Sequence, residues 1–314
     1  MKATLTHIFG PVPSRRLGLS LGIDLVPFKT CTLDCIYCEL GKTAIPVTRR
    51  AEYVTYTELE NEIKTFFNTK KPVALDHITL SGSGEPTLNS AMPRVIKLLR
   101  QNSKTPIALL TNGTLFTDPE VRYEAAAVDI ILPSLDTVSE NLFRTVNRPA
   151  PGVKANEVIA GLRALRQEFQ GQIWLEILFC QGLNDTPAEI DKLVEAANSI
   201  QPDKIQLNTV VRPGAMVTAK TVTQTFLQEV LPKFGPQAEI IAPFAKKSKS
   251  YNSFEKLEAT ILATLKRRPC TKKNLEQALG LKAVEVIKIV ELLLEKDKIK
   301  SLEHGSECYF QTSE

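Results

Sequence analysis

Apolar and polar residues along this chain follow two periods in turn. Leu19, Leu21, Ile23 and Leu25 alternate with Ser20, Gly22 and Asp24, the period of two that belongs to a strand. Over 57–67, Leu59, Ile63, Phe66 and Phe67 share one face of a helix, with Thr57 as its N-cap. The same exchange then repeats. Strands are expected over 77–80, 107–110, 128–132, 173–179, 204–211 and 238–242. Helices are expected over 92–100, 118–126, 155–169, 187–199 and 222–234, with Asp118–Pro119 and Thr186 marking two of the starts. The strands are apolar along their length, which implies a parallel sheet covered on both faces. Six strand–helix units fall short of a closed eight-fold barrel. The expected fold class is therefore α/β, a partial, open (β/α)6 TIM-like barrel.

A different pattern follows. Residues 245–253 are basic, serine-rich and aperiodic, and read as a linker. Beyond it, 254–268, 271–279 and 284–295 are amphipathic helices, the second capped by Thr271 and closed by Gly280. Stretches 299–302 and 307–310 form a hairpin around Gly305. Three helices and a hairpin resemble a winged helix-turn-helix domain. The expected organisation is a barrel over 1–244, the linker, and a winged-helix-like domain over 254–314.

Composition changes this picture little. The 314 residues are 43% hydrophobic and 24% charged, an ordinary globular balance. The net charge of +4 permits an acidic partner without requiring one. No signal peptide or membrane-spanning run is visible, so free cysteines point to a reducing cytoplasm.

Chemistry concentrates in K-T-C-T-L-D-C-I-Y-C-E-L-G, residues 29–41, where three of the six cysteines fall. Cys31, Cys35 and Cys38 follow C-x3-C-x2-C spacing, directly after the first strand. On a helix they would share a core face, but Pro27, Thr30, Thr32 and Asp34 favour a loop. Disulfides suit secreted chains, and a structural zinc would need a fourth ligand where His7 stands alone. Thiolates are the soft ligands that iron–sulfur clusters demand, and three of them would leave one iron of a 4Fe-4S cluster open. Glu85, Asn112, Ser134 with Asp136, Cys180 and Arg212 fall at the C-terminal ends of predicted strands, the active face of parallel barrels.

The cysteine spacing, with Tyr37 before the last cysteine, resembles the signature of the radical S-adenosylmethionine (SAM) enzymes. Together with G-P-V-P-S-R-R-L-G from Gly10, it is similar to a branch that includes the wybutosine-synthesis enzymes acting on tRNA. This resemblance implies a 4Fe-4S cluster held by Cys31, Cys35 and Cys38, with SAM chelating the fourth iron. One electron would cleave SAM to a 5′-deoxyadenosyl radical, which takes a hydrogen atom from the substrate. It implies that S-G-S-G-E-P at 81–86, with Gly84 and Glu85, receives the methionine ammonium. Ser83 stands where the general pattern has glycine. Asn112, Ser134 and Asp136 match positions that contact SAM, Tyr37 would pack on adenine, and Arg212 would meet the SAM carboxylate. Further implied partners are an external flavodoxin- or ferredoxin-like electron donor and a tRNA, protein or peptide substrate, with no membrane. A reading from another class is an iron–sulfur sensor that binds DNA through the winged helix. Arg15 and Arg16 are phosphate-binding candidates or solvated arginines.

Overall fold

The computed structural model describes residues 5–14, 16–43, 46–69, 74–241, 254–279, 281, 283–305 and 307–313. The linker at 245–253, Arg15, Gly280 and Lys282 lie outside the described residues. The chain opens with β1 (Ile8–Ser14) and β2 (Gly18–Ile23), followed by α1 (Tyr56–Thr69), β3 (His77–Leu80), α2 (Met92–Asn102) and β4 (Ile107–Thr111). Next come α3 (Pro119–Ala125), β5 (Ile130–Pro133), the short turn α4 (Glu140–Leu142) and α5 (Ala155–Glu168). The sheet finishes with β6 (Gln172–Phe179), α6 (Pro187–Ile200), β7 (Lys204–Thr209), α7 (Gln224–Val230) and β8 (Ala238–Ile240).

These eight strands form one sheet in sequence order. Strands β2 to β8 are parallel to their neighbours, and β1 pairs antiparallel with β2. This is the α/β partial barrel that the alternating periods predict, with one strand added in front. The periodicity does not show β1 because Gly10, Pro11 and Pro13 interrupt it and its register slips between Phe9 and Val12. An edge strand tolerates proline because one side of its backbone needs no ladder partner.

The two faces of the sheet differ. Leu21, Ile23, Ile78, Leu80, Leu109, Ile131, Leu175, Ile177 and Leu207 pack under the helices in the main core. On the opposite face, Ala108, Leu110, Ile130, Leu132 and Trp174 form a separate apolar floor with Leu17. One residue pair further along each strand, that inner face turns polar. Asn208 Nδ2 donates to Glu176 Oε1 at 2.8 Å, and Arg16 pairs with the same carboxylate. Arg16 is therefore an ion-pairing residue of the barrel interior and not a solvated arginine.

Most predicted caps are present. Asp118 accepts from Glu120 N, and Thr186 from Glu189 N. The cap of α1 is a correction: Thr55, not Thr57, begins it. Thr55 Oγ1 accepts from Glu58 N at 3.3 Å while Glu58 Oε2 accepts from Thr55 N at 3.0 Å, a reciprocal capping box. The expected helix over 222–234 is shorter, beginning after Thr223 and ending in a tighter turn over Leu231–Phe234.

Beyond the barrel lie α8 (Phe254–Arg267), α9 (Lys272–Leu279), α10 (Ala283–Glu295) and the hairpin β9 (Ile299–His304) with β10 (Glu307–Thr312). They enclose a core of their own that includes Ile261, Leu265, Leu275, Val290, Leu293 and Phe310. Cys270 and Phe310 exchange both backbone hydrogen bonds, at 3.0 and 2.8 Å, and so tie the helices to the hairpin. Among the described residues no helix is long and apolar enough to cross a membrane.

Candidate functional site

The cysteine loop follows β2 at the C-terminal end of the barrel strands. Backbone bonds hold its shape: Asp34 N donates to Asn147 O at 3.1 Å, Ile36 N to Val146 O at 2.9 Å and Cys38 N to Cys35 O at 3.1 Å. Cys31, Cys35 and Cys38 are unpaired and partly exposed. Each sulfur faces its own N–H donor. Asn112 Nδ2 lies 3.5 Å from Cys31 Sγ, Asn147 Nδ2 lies 3.6 Å from Cys35 Sγ, and Lys29 Nζ lies 3.5 Å from Cys38 Sγ. Such donors offset the negative charge that thiolates bring to an iron–sulfur cluster.

The three thiols are mutually close. Burial pushes the Cys31 thiol up to about 12, and the negative charges of Glu85 and Cys38 add to the effect. Cys35 is also raised, by burial first and then by Asp136, Cys31 and Cys38. Three thiols and no neighbouring fourth ligand from the loop make a soft donor set that fits an iron–sulfur cluster with one iron left open. Thiols raised as those of Cys31 and Cys35 are keep their protons through neutral pH, so each bond that these two form to iron must release one. Cluster loading is expected to strengthen as pH rises from about 7 to 9 and to weaken below it, because deprotonation then costs less. Iron bound per chain against pH, with proton release followed in weak buffer, checks this; loading that is flat with pH would contradict it.

Beside the loop lies a cavity of about 50 Å³ lined by Tyr37, Asn112, Ser134 and Asp136 together with Leu33 and Asn147. Four of the predicted SAM-contacting residues therefore meet at one place. Their freedom differs. Asp136 is buried, and its oxygens are already engaged: Oδ1 accepts from Leu178 N at 2.9 Å, and Oδ2 from Asn147 Nδ2 at 2.8 Å and from the Tyr37 hydroxyl. Burial raises its carboxyl to about 6 against the opposing pull of those bonds. Asp136 thus ties Tyr37 down, where the sequence suggested direct contact with SAM. Asn112 also donates to Thr32 Oγ1 at 2.8 Å, and Ser134 is the less encumbered hydroxyl.

The 81–86 turn is built differently from expectation as well. Glu85 is 2% exposed and accepts from Thr87 N, Thr87 Oγ1, Thr111 Oγ1 and Asn112 N at 2.6 to 3.1 Å. Its carboxylate ties the turn after β3 to the end of β4, with both oxygens engaged by the protein. Gly84 is needed for close approach, since a Cβ there would lie 1.9 Å from Thr30 O. Ser83 anchors the turn to β2: its N–H donates to Asp24 Oδ1 at 3.0 Å and its hydroxyl to Asp24 Oδ2. Arg212 stands apart from the cavity in an ion pair with Glu39 at 3.0 Å, so its expected meeting with a carboxylate is made with the protein's own. Cys180 is buried.

Sequence reasoning missed Asn147, Lys29 and Asp24. Asn147 ends a wide helical turn over Phe143–Asn147 that carries no periodic signal. Lys29 and Asp24 flank the cysteine motif but look like ordinary surface charges in the sequence.

Comparison with known proteins agrees with this geometry. The family model described as the Radical SAM superfamily matches residues 25–197. A protein of Brachyspira hyodysenteriae named GTPase Obg is 31% identical over 95% of this chain, which spans only 44% of that relative. A UPF0026 protein of Helicobacter pylori is 34% identical, over 70% of this chain and 71% of its own length. Among solved structures, Streptococcus suis SuiB bound to S-adenosylmethionine shares the fold, with a TM-score of 0.51 and 13% identity over 70% of this chain and 49% of that one. The chain belongs to the radical SAM superfamily and within it to the UPF0026 family, whose chemistry rests on a 4Fe-4S cluster and SAM and whose cysteine spacing is that of residues 31, 35 and 38.

Proposed function

We propose that this chain removes a hydrogen atom from a polymeric substrate, with tRNA the first candidate, at a site built on Cys31, Cys35 and Cys38. The observation that carries the reading is three neighbouring thiols, each with its own N–H donor, beside the cavity of Asn112 and Ser134. Cluster and SAM together supply one-electron cleavage and a radical able to attack an unactivated C–H bond. The protein's residues bind and orient. The three cysteines would ligate iron, while Asn112, Asn147 and Lys29 would balance the thiolate charge. Backbone groups of the 81–86 turn would receive the ammonium end of SAM, and Asn112 and Ser134 would hydrogen-bond its hydroxyls. Tyr37, held by Asp136, would offer its ring to adenine. Below them the Arg16–Glu176–Asn208 network lines the interior where substrate is oriented.

The tRNA assignment draws on the likeness of residues 10–18 and 31–41 to the wybutosine branch. It draws also on the C-terminal module, which we read as a winged helix with Lys273, Lys296 and Lys300 exposed. The reaction takes its electron from a flavodoxin- or ferredoxin-like donor in the cytoplasm. Anaerobically reconstituted protein with dithionite should convert SAM to 5′-deoxyadenosine and methionine. RNA should bind with steep salt dependence. Cluster without SAM cleavage, together with site-specific DNA binding, would replace the enzyme with a sensor. SAM cleavage without RNA binding at low salt would move the substrate to a protein or peptide.

A further inference from the structure

Among the described residues, Tyr309 and Arg267 reach from the C-terminal module to the barrel, one on the β7 side and one on the β2 side. On the β7 side, the Tyr309 hydroxyl of β10 donates to Val211 O at 2.6 Å. The next residue, Arg212, pairs with Glu39, which directly follows Cys38. On the β2 side stands Arg267, the last residue of α8. Its Nη1 donates to Ala263 O in its own helix at 2.9 Å, and its Nη2 to Thr6 O in the barrel at 3.2 Å. Its guanidinium lies 4.2 Å over the Phe9 ring, and Nη2 is 3.9 Å from Asp24 Oδ2. The Phe9 ring in turn covers Gly22, where a Cβ would come within 2.1 Å of it. Arg267 thus enters on the β2 face that carries Ser20, Gly22 and Asp24, opposite the helices.

The arrangement is a poor one for stability alone. Side chains of Arg267 and Asp24 are 14% and 6% exposed, and Arg267 Nε is buried with no hydrogen-bond partner. Burying such a pair costs desolvation that roughly offsets its attraction, so what the pair secures is position. The group positioned is Asp24, whose two oxygens hold the N–H and hydroxyl of Ser83.

We propose that Arg267 is a positioning residue for the radical reaction: it reaches from the C-terminal module to Asp24, and through Asp24 holds the 81–86 turn in place for SAM. This rests on the reading of that turn given under Proposed function. The module is then a support of the SAM site, and a ligand of the module whose affinity differs between the SAM-bound and SAM-free protein would shift SAM affinity by that same factor.

The test uses full-length, cluster-loaded protein. Wild type, R267M, R267K, D24N and the R267K/D24N double variant are compared for SAM dissociation constant and for hydrogen exchange of the amides at 81–86. Expected for R267M is SAM binding weaker by about tenfold, as for loss of other outer-shell supports, and faster exchange at 81–86 with unchanged iron content. If R267M does not fold, the cycle of conservative variants decides. A double variant no worse than its worse single supports the link, and additive losses overturn it. Wild-type affinity and exchange in R267M also overturn it. A wild-type holoprotein that binds no SAM would overturn the reading of the turn itself, which is a separate failure.

Discussion

Replacing Cys35 by alanine is expected to leave a folded chain with no stable cluster and SAM cleavage at background. Folding survives because the loop's shape comes from backbone bonds that alanine keeps, among them Asp34 N to Asn147 O and Cys38 N to Cys35 O. The thiol itself is half-buried against the edge of the main core, and its polar contacts are weak, such as that from Asn147 Nδ2 at 3.6 Å. Removing it therefore costs on the order of 1 kcal/mol of stability or less. Cluster binding has no such reserve. With two thiolates left, a second iron lacks a protein ligand, and the site loses the single open corner that a chelating substrate needs. Circular dichroism should match wild type while bound iron and the brown colour are lost. Full iron content with normal SAM turnover in C35A would show that these cysteines are not the cluster ligands.

Gly84→Ala should produce the largest effect of any single methyl group in the barrel. The added Cβ would lie 1.9 Å from Thr30 O and 2.7 Å from Thr30 C. Both are backbone atoms, so no rotamer change relieves the clash. Two further bonds pin the same approach: Glu85 N to Thr30 O at 2.9 Å and Lys29 N to Ser83 O at 2.7 Å. Overpacking in a well-filled core costs about 1–3 kcal/mol, and a clash with fixed backbone belongs at the upper end or above. Thr30 adjoins Cys31, so the strain falls on the cysteine loop. The expected result is a clear fall in Tm together with loss of iron on gel filtration. Wild-type Tm and iron retention would mean that the turn and the loop are not locked together.

Much of the fold is legible in the sequence because its causes are local. Alternating Leu19 to Leu25 marks β2, and apolar faces mark the helices, so strand order and parallel pairing follow without long-range information. The cysteine spacing is local too, and it determines the cluster and its place after β2. The cap of α1 lies two residues earlier than the sequence suggests, because Thr55 and Thr57 look alike until Glu58 is seen to bond back to Thr55.

What remained hidden was which polar residues are free. Tyr37 and Asp136 are 99 residues apart and share a hydrogen bond; Glu85 and Asn112 are 27 apart; Arg212 and Glu39 are 173 apart. A polar residue at a strand end can serve a ligand or serve the protein, and only its neighbours in space decide between the two. The sequence by itself determined a partial parallel barrel with three thiols at its mouth, because strand period and ligand spacing are short-range properties. Only the tertiary structure decided that Asp136 and Glu85 are internal supports, that Asn147 and Lys29 face the sulfurs, and that the C-terminal module reaches Asp24. Each of those depends on hydrogen-bond partners brought together from distant parts of the chain.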